Sequence, residues 1–276
     1  MSRTVLITGC SSGFGEAVVR VFADHGWNVV ATMRRPEAGA DLARLGNVLV
    51  TRLDVQDRPS IEAALAQGIE RFGGIDVVIN NAGFGITGIF EGIAREKILE
   101  QFDVNVFGVM DVIRAILPHF RARRAGVIVN VSSGVGVFGL PMGSIYTASK
   151  FALEGFSEAL SYELAAVGVT VKLVEPGSAP STGFPARSGA EGAVSVRPTD
   201  YDDYAVAMRN VFQNFRDKAD SNAIDKVANS IFAAATDGSN QLRYVLTDDI
   251  KPFVKARRET SEEQYMAYMR AFFTPK

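Results

Sequence analysis

Tyr146 and Lys150 stand four residues apart in Tyr146-Thr147-Ala148-Ser149-Lys150, a spacing that puts both side chains on one face of a helix. A phenol beside an ammonium can give a proton to an oxygen that is gaining negative charge, and can take one back in the reverse direction. A free tyrosine titrates near ~10, too high for a base at neutral pH. A neighbouring cation favours the phenolate. Lowering the pKa by about three units takes roughly 4 kcal/mol, and one close cation in a partly dry site can supply much of it. A depressed tyrosine pKa is the resulting expectation. The hydroxyls of Ser132-Ser133 stand upstream, where one could hold the same oxygen as its charge develops. The chain has only 2 histidines, His25 and His119, both near predicted helix ends and read as structural.

A second pattern points to a phosphate-bearing partner. The first predicted strand ends in Thr8-Gly9-Cys10-Ser11-Ser12-Gly13-Phe14-Gly15, with a helix after it. Glycines let backbone approach a pyrophosphate, and a helix N-terminus offers free N–H groups to its charge. The spacing is Gly-x-x-x-Gly-x-Gly, distinct from the general dinucleotide fingerprint. No Gly-Lys-Ser/Thr follows, which disfavours a nucleotide triphosphate loop.

These two patterns, with others between them, resemble the short-chain dehydrogenase/reductase family in its single-domain branch. The resemblance adds Asp54-Val55 after the third strand, Asn80-Asn81-Ala82-Gly83 after the fourth, Asn105 in the next helix, and Pro176-Gly177 after the sixth. It spans residues 4 to about 182. It implies a catalytic set of Asn105, Ser133, Tyr146 and Lys150. The serine-to-tyrosine interval of the family selects Ser133 over Ser132. Lys150 would also hold the nicotinamide-side ribose, the positive nicotinamide would join the ammonium in favouring the Tyr146 phenolate, and Asn105 would hold a water in a proton relay to the lysine. An asparagine in mid-helix is otherwise mildly unfavourable. Gly9, Ser11, Ser12, Gly13, Phe14 and Gly15 would cradle the pyrophosphate. Asp54 would fix the adenine with Val55, while Asn81, Ala82 and Gly83 would lie beside the adenine-side ribose. Pro176, Gly177 and Thr182 would meet the nicotinamide, with Ser181 an equal candidate for the last contact.

Charge then separates two cofactors. NAD-dependent enzymes place an acid at the end of the second strand, against the ribose 2′-hydroxyl. Here the run is Val29-Val30-Ala31-Thr32-Met33-Arg34-Arg35, with no acid. A guanidinium forks to a 2′-phosphate, so Arg34 and Arg35 predict NADP(H). The expected function is an NADP(H)-dependent oxidoreductase moving a hydride between the nicotinamide and an alcohol or carbonyl carbon. Phe84, Ile86, Phe90, Val135, Val137, Phe138 and Met142 are candidate walls for a small hydrophobic carbonyl or alcohol substrate. The runs Ala31–Arg35 and Val174–Gly177 resemble the hydroxysteroid and retinol dehydrogenase branch. Two other classes share part of the pattern: a non-catalytic NADP(H)-sensing module, and a nucleotide-sugar epimerase or dehydratase.

The elements that must hold these residues are legible as alternating strands and helices, which implies an α/β, Rossmann-type, doubly wound parallel sheet of about seven strands with helices on both faces. Strands are expected near Thr4–Thr8, Asn28–Thr32, Val48–Leu53, Asp76–Asn80, Gly126–Val131, Val169–Val174 and Arg243–Leu246. Long helices are expected over roughly Ala94–Arg121 and Tyr146–Ala166, as core and as candidate faces of a homodimer or homotetramer. The Gly/Ser/Pro/Ala-rich stretch at about 177–215 reads as a substrate loop and lid, and about 250–273 as a C-terminal helical segment. All of this fits one domain over 1–276. Acidic residues number 31 and basic ones 29, giving no general attraction to nucleic acid or anionic membrane. The single cysteine excludes an intrachain disulfide and disfavours a metal site. No signal peptide or membrane-length apolar run stands out, so a soluble cytoplasmic protein is the default expectation.

Overall fold

Strands rich in Val and Ile, apolar on successive residues, can be stable only where both sheet faces are covered. The computed structural model describes residues 2–178, 182–193, 198–217 and 222–274 and has this arrangement. β1 (Thr4–Ile7) leads to α1 (Gly13–Asp24) and β2 (Asn28–Met33). β3 (Val48–Arg52), α2 (Arg58–Phe72) and β4 (Val77–Asn80) follow. The second half holds α3 (Arg95–Phe102), α4 (Gly108–Arg123), β5 (Gly126–Val131), α5 (Ser144–Ala165) and β6 (Val169–Glu175). The chain then passes through α6 (Phe184–Ala193), α7 (Asp202–Asp217), α8 (Ala223–Thr236), β7 (Arg243–Val245), α9 (Lys251–Glu259) and α10 (Glu262–Phe273). One seven-stranded sheet runs in the order β3-β2-β1-β4-β5-β6-β7, with every pairing parallel. Each predicted strand is present, its ends within a residue of expectation.

Alternation along β1 sets the two layers. Val5 and Ile7 pack with Val18, Val19 and Phe22 of α1 and Val227 and Ile231 of α8. Leu6 points the other way, into a cluster with Ile61 of α2, Val112 and Ile113 of α4, and Leu153 of α5. Both histidines are structural. His25 reaches the Val21 carbonyl and stacks on Phe232, while His119 Nε2 contacts the Ile75 backbone.

The expected continuous helix Ala94–Arg121 is corrected. A π-helical turn over Asp103–Phe107 separates α3 from α4. Such turns insert a residue into the α-helical ladder and recur at functional sites. Asn105 lies in the middle of this one, drawn inward to the backbone of Phe84. The C-terminal segment forms two helices, because Ser261 starts α10 with a capping box to Gln264. Phe253, Tyr265, Met269 and Phe273 from this pair pack with Val135 and Phe138, so the chain's end helps to wall the site.

A buried clip fastens β6 to β7 and the end of α8. Lys172, 2% exposed, donates to the Asp237 carboxylate and to the Tyr244 hydroxyl at 2.9 Å. Burial works against the Asp237 anion, but hydrogen bonds from Lys172, Tyr244 and Ser239 hold its carboxyl well below the usual range. Asp237→Ala strands a buried ammonium. It is expected to cost about 3 kcal/mol of stability, read from the urea midpoint; a loss below about 1 kcal/mol would put the clip in the class of a surface pair.

Candidate active site

The strand order reverses between β1 and β4, and in open parallel sheets ligands bind beyond the carboxyl ends at such a switch point. The loops after β1 through β6 converge there on one cavity of about 960 Å³. Every predicted cofactor residue lines it except Arg35; Ser181 lies outside the described residues. Arg35 stands in extended backbone just after β2, exposed and outside the cavity lining.

The glycine loop is held from β4. Gly9 has φ 74°, and a Cβ there would lie 2.9 Å from Ala82 Cα; one on Gly15 would lie 2.3 Å from the Gly9 carbonyl oxygen. Only glycine fits so close an approach. Thr8 Oγ1 accepts from the N–H groups of Asn81 and Ala82 at 3.0 Å each. Asn81 Nδ2 donates to the carbonyls of Thr8 at 2.9 Å and Gly9 at 3.2 Å. Asn81 thus shapes the loop directly, a contact its predicted place beside a ribose did not include. Ser12 caps α1 in extended conformation without a side-chain hydrogen bond to the helix. This cradle of backbone at a helix start, with Arg34 and Asp54 on its rim, suits a dinucleotide. Asp54 Oδ1 is positioned by the Gln56 N–H at 3.2 Å.

β5 and α5 bring the reactive side chains together. Ser133 and Tyr146 both line the cavity, and the serine hydroxyl opposes the effect of burial on the phenol. Lys150 Nζ donates to the Val131 carbonyl at 2.8 Å and lies 5.8 Å from the centre of the Tyr146 ring. Asn105 is buried, 1% exposed, and does not line the cavity. Its Oδ1 accepts from Phe84 N at 3.1 Å, and its Nδ2 donates to the Phe84 carbonyl at 2.8 Å and Ser149 Oγ at 3.1 Å. Its side chain is joined to α5 through Ser149, whose hydroxyl donates to the Tyr146 carbonyl. Ser132 is buried, and its Oγ has no hydrogen-bond partner.

Among the protein's own groups, burial outweighs the nearby cation at Tyr146. Burial pushes the Tyr146 phenol up to about 12, against the opposing hydrogen bond from Ser133. Burial also pushes Lys150 down to about 8, against the charge of Glu154. The expected lowering counted the ammonium together with the positive nicotinamide, and a dry site adds a cost to charge that works against it. The protein's own groups therefore keep Tyr146 protonated at neutral pH, the state of an acid.

Of the predicted wall residues, Phe84, Val135, Phe138 and Met142 line the cavity. Ile86 packs instead with Ile93 and Ile145, Val137 packs on the C-terminal cluster, and Phe90 is 61% exposed. The described part of the 177–215 stretch contributes residues unassigned in the sequence. Phe184 of α6 sits 5.4 Å from the Tyr146 ring, and Arg187 lies 4.3 Å over the Phe84 ring. Thr182 lies on the cavity, and its Oγ1 accepts from Phe184 N at 3.4 Å. α6 is fastened down by Ser188 Oγ to Thr87 Oγ1 at 2.6 Å and by Glu191 to Lys97 at 2.8 Å. No cluster able to hold a metal ion occurs among the described residues.

Comparison with known proteins gives one consistent result. The family model for short chain dehydrogenases matches residues 3–190. An uncharacterized oxidoreductase of Schizosaccharomyces pombe is 37% identical over 236 residues, covering 85% of this chain and 97% of that protein. Human retinol dehydrogenase 8 is 42% identical over 184 residues, covering 63% of this chain and 58% of that one. The structure of a short-chain dehydrogenase from Streptomyces avermitilis superposes with a TM-score of 0.83 at 31% identity, covering 98% of this chain and 97% of that one. One from Burkholderia phymatum in complex with NAD gives 0.80 at 28% identity, covering 94% and 93%.

Proposed function

The chain belongs to the short-chain dehydrogenase/reductase family of oxidoreductases, and from that premise we propose that it transfers a hydride between NADP(H) and a hydrophobic ketone or aldehyde, or the corresponding alcohol. The observation that carries this reading is the meeting of Ser133, Tyr146 and Lys150, with Lys150 Nζ 5.8 Å from the centre of the Tyr146 ring, in the cavity that also holds the glycine loop.

When bound, the nicotinamide supplies or accepts the hydride. In the reduction direction Tyr146, protonated at neutral pH, gives its proton to the substrate oxygen as that oxygen gains charge. Ser133 holds the same oxygen by its hydroxyl. Lys150 stabilises the phenolate left behind. Asn105, through Phe84 and Ser149, fixes the start of α5 and the loop after β4 relative to each other. Arg34 at the adenine end favours NADP(H) over NAD(H). The apolar wall favours a largely hydrocarbon substrate, consistent with a relative named for retinol.

This chemistry has a pH signature. Lys150 titrates near about 8 and is charged below it. The rate of carbonyl reduction, as kcat/KM, is expected to fall above that pH, approaching tenfold per unit, because the phenolate loses its counter-charge. A rate flat from pH 7 to about 10, where a free tyrosine titrates, would remove Lys150 from the mechanism.

A panel of hydrophobic ketones, aldehydes and secondary alcohols, scored by NADPH or NADP+ absorbance, tests the function. Turnover of UDP-sugars without net cofactor consumption would instead indicate an epimerase, and tight NADPH binding without turnover a sensing module. The reading includes a cytoplasmic setting; no described helix is long and apolar enough to cross a membrane. It also includes a homodimer or homotetramer formed through α4 and α5 and the turn before α4, where Phe107 and Phe151 are exposed. Light scattering would give a multiple of 29.7 kDa.

A further inference from the structure

Beyond Lys150 lies a cluster of charges, none of which lines the cavity. One turn on along α5, Glu154 is 6% exposed, and its Oε2 accepts from Arg243 Nε of β7 at 2.9 Å. Arg243 also donates to Glu158, four residues further along the helix. Glu175, at the end of β6 and 0% exposed, accepts from Arg258 of α9 at 2.7 Å and stands 3.8 Å from Arg243. Three carboxylates therefore share two guanidiniums. Glu154 Oε1 and Glu175 Oε2 are buried without a hydrogen-bond partner.

The next cation on that side is Lys150. Positions four apart share a helix face. Glu154 Cγ and Ser132 Oγ both crowd Gly136, 2.9 and 2.7 Å from where a Cβ would stand. The Glu154 side chain thus stands around Gly136 with Ser132, one residue on from the Val131 carbonyl to which Lys150 donates. We propose that Glu154, clamped by Arg243 and left with one uncompensated oxygen, is a positioning residue that keeps Lys150 charged, and that α9 joins this network through Arg258 and Glu175. The inference rests on the proposed role of Lys150 in proton transfer.

The other groups near Lys150 do not supply this charge. Tyr146 is protonated at neutral pH, the end of β5 offers the uncharged Val131 carbonyl and the residues after it the hydroxyls of Ser132 and Ser133, and the π turn offers the neutral Asn105. Asp249, on the cavity, is turned to the Ser178 N–H at 2.8 Å, and Glu154 is the one carboxylate whose charge acts on Lys150. Burial pushes Lys150 toward neutrality and the charge of Glu154 opposes it, in agreement with this arrangement. Glu175 is raised by burial and by Glu154, as a carboxyl in an acid-rich cluster should be.

The test uses the full-length protein labelled with 13C at lysine Cε. The Lys150 resonance, identified by its loss in Lys150→Met, is titrated in the parent, in Glu154→Gln and in Glu158→Gln. Glu154→Gln can still accept from Arg243, and Glu158→Gln keeps Arg243 but alters a carboxylate farther from Lys150. The proposal expects the midpoint to fall by at least about half a pH unit in Glu154→Gln and to stay in place in Glu158→Gln. The alkaline limb of kcat/KM should move with it. An unmoved midpoint in Glu154→Gln, or equal shifts in both variants, would overturn the proposal. A shifted midpoint with an unshifted rate limb would uphold the electrostatic inference and defeat instead the proposed role of Lys150 in turnover.

Discussion

Tyr146→Phe is expected to lower kcat for carbonyl reduction by about a thousandfold while leaving NADPH affinity within about threefold of the parent. The general acid contributes roughly 10²–10⁴ in rate, and no other proton donor in the described cavity is so placed. Ser133 Oγ is turned to the Pro176 carbonyl at 3.4 Å. The substitution removes one oxygen and keeps the ring that packs against Phe184. Stopped-flow single turnovers separate the chemical step from cofactor binding and release. A chemical step slowed less than about tenfold would assign the proton to another group.

Arg34→Ala should weaken NADPH binding by roughly 10- to 150-fold, the equivalent of a charge-assisted hydrogen bond of about 1.5–3 kcal/mol, with little change for NADH. Arg34 is exposed at the cavity rim and makes no ion pair with another described residue, so its guanidinium is available to a 2′-phosphate. Arg35→Ala, changing a side chain off the cavity, is the control. Fluorescence titration with both cofactors reads the two affinities. Equal losses for NADPH and NADH, or none, would set aside the charge argument for NADP(H).

How far the sequence carried these conclusions depends on the kind of signal. The sheet was legible because strands buried on both faces must be apolar on consecutive residues, as in Thr4-Val5-Leu6-Ile7 and Val77-Val78-Ile79. The cavity-lining motifs were legible because they end strands, and parallel topology gathers strand ends at one edge. The π turn at Asn105 left no local mark, since its driving force is the Phe84 backbone 21 residues away in sequence. The sign of the Tyr146 shift depends on depth of burial, which spacing cannot report. Arg34 and Arg35 are chemically equal neighbours, and only the fold orients one of them toward the cavity. Beyond residue 182 no motif was available, so Phe184, Arg187 and the C-terminal wall emerged from packing alone. Glu154 was in plain view one turn after Lys150, but its meaning required Arg243 and Glu175, from strands 89 and 21 residues away in the chain.

The central claim is that this cavity passes a hydride to carbon while Tyr146 supplies the proton. Incubating the protein with NADPH deuterated at the transferable C4 position and a panel of hydrophobic ketones and aldehydes, then examining the products by mass spectrometry, tests it directly. The expected product is an alcohol with one deuterium on its carbinol carbon, formed by the parent and nearly absent with Tyr146→Phe. Binding of NADPH with no deuterium reaching any carbonyl carbon, or equal labelling by both proteins, would contradict it.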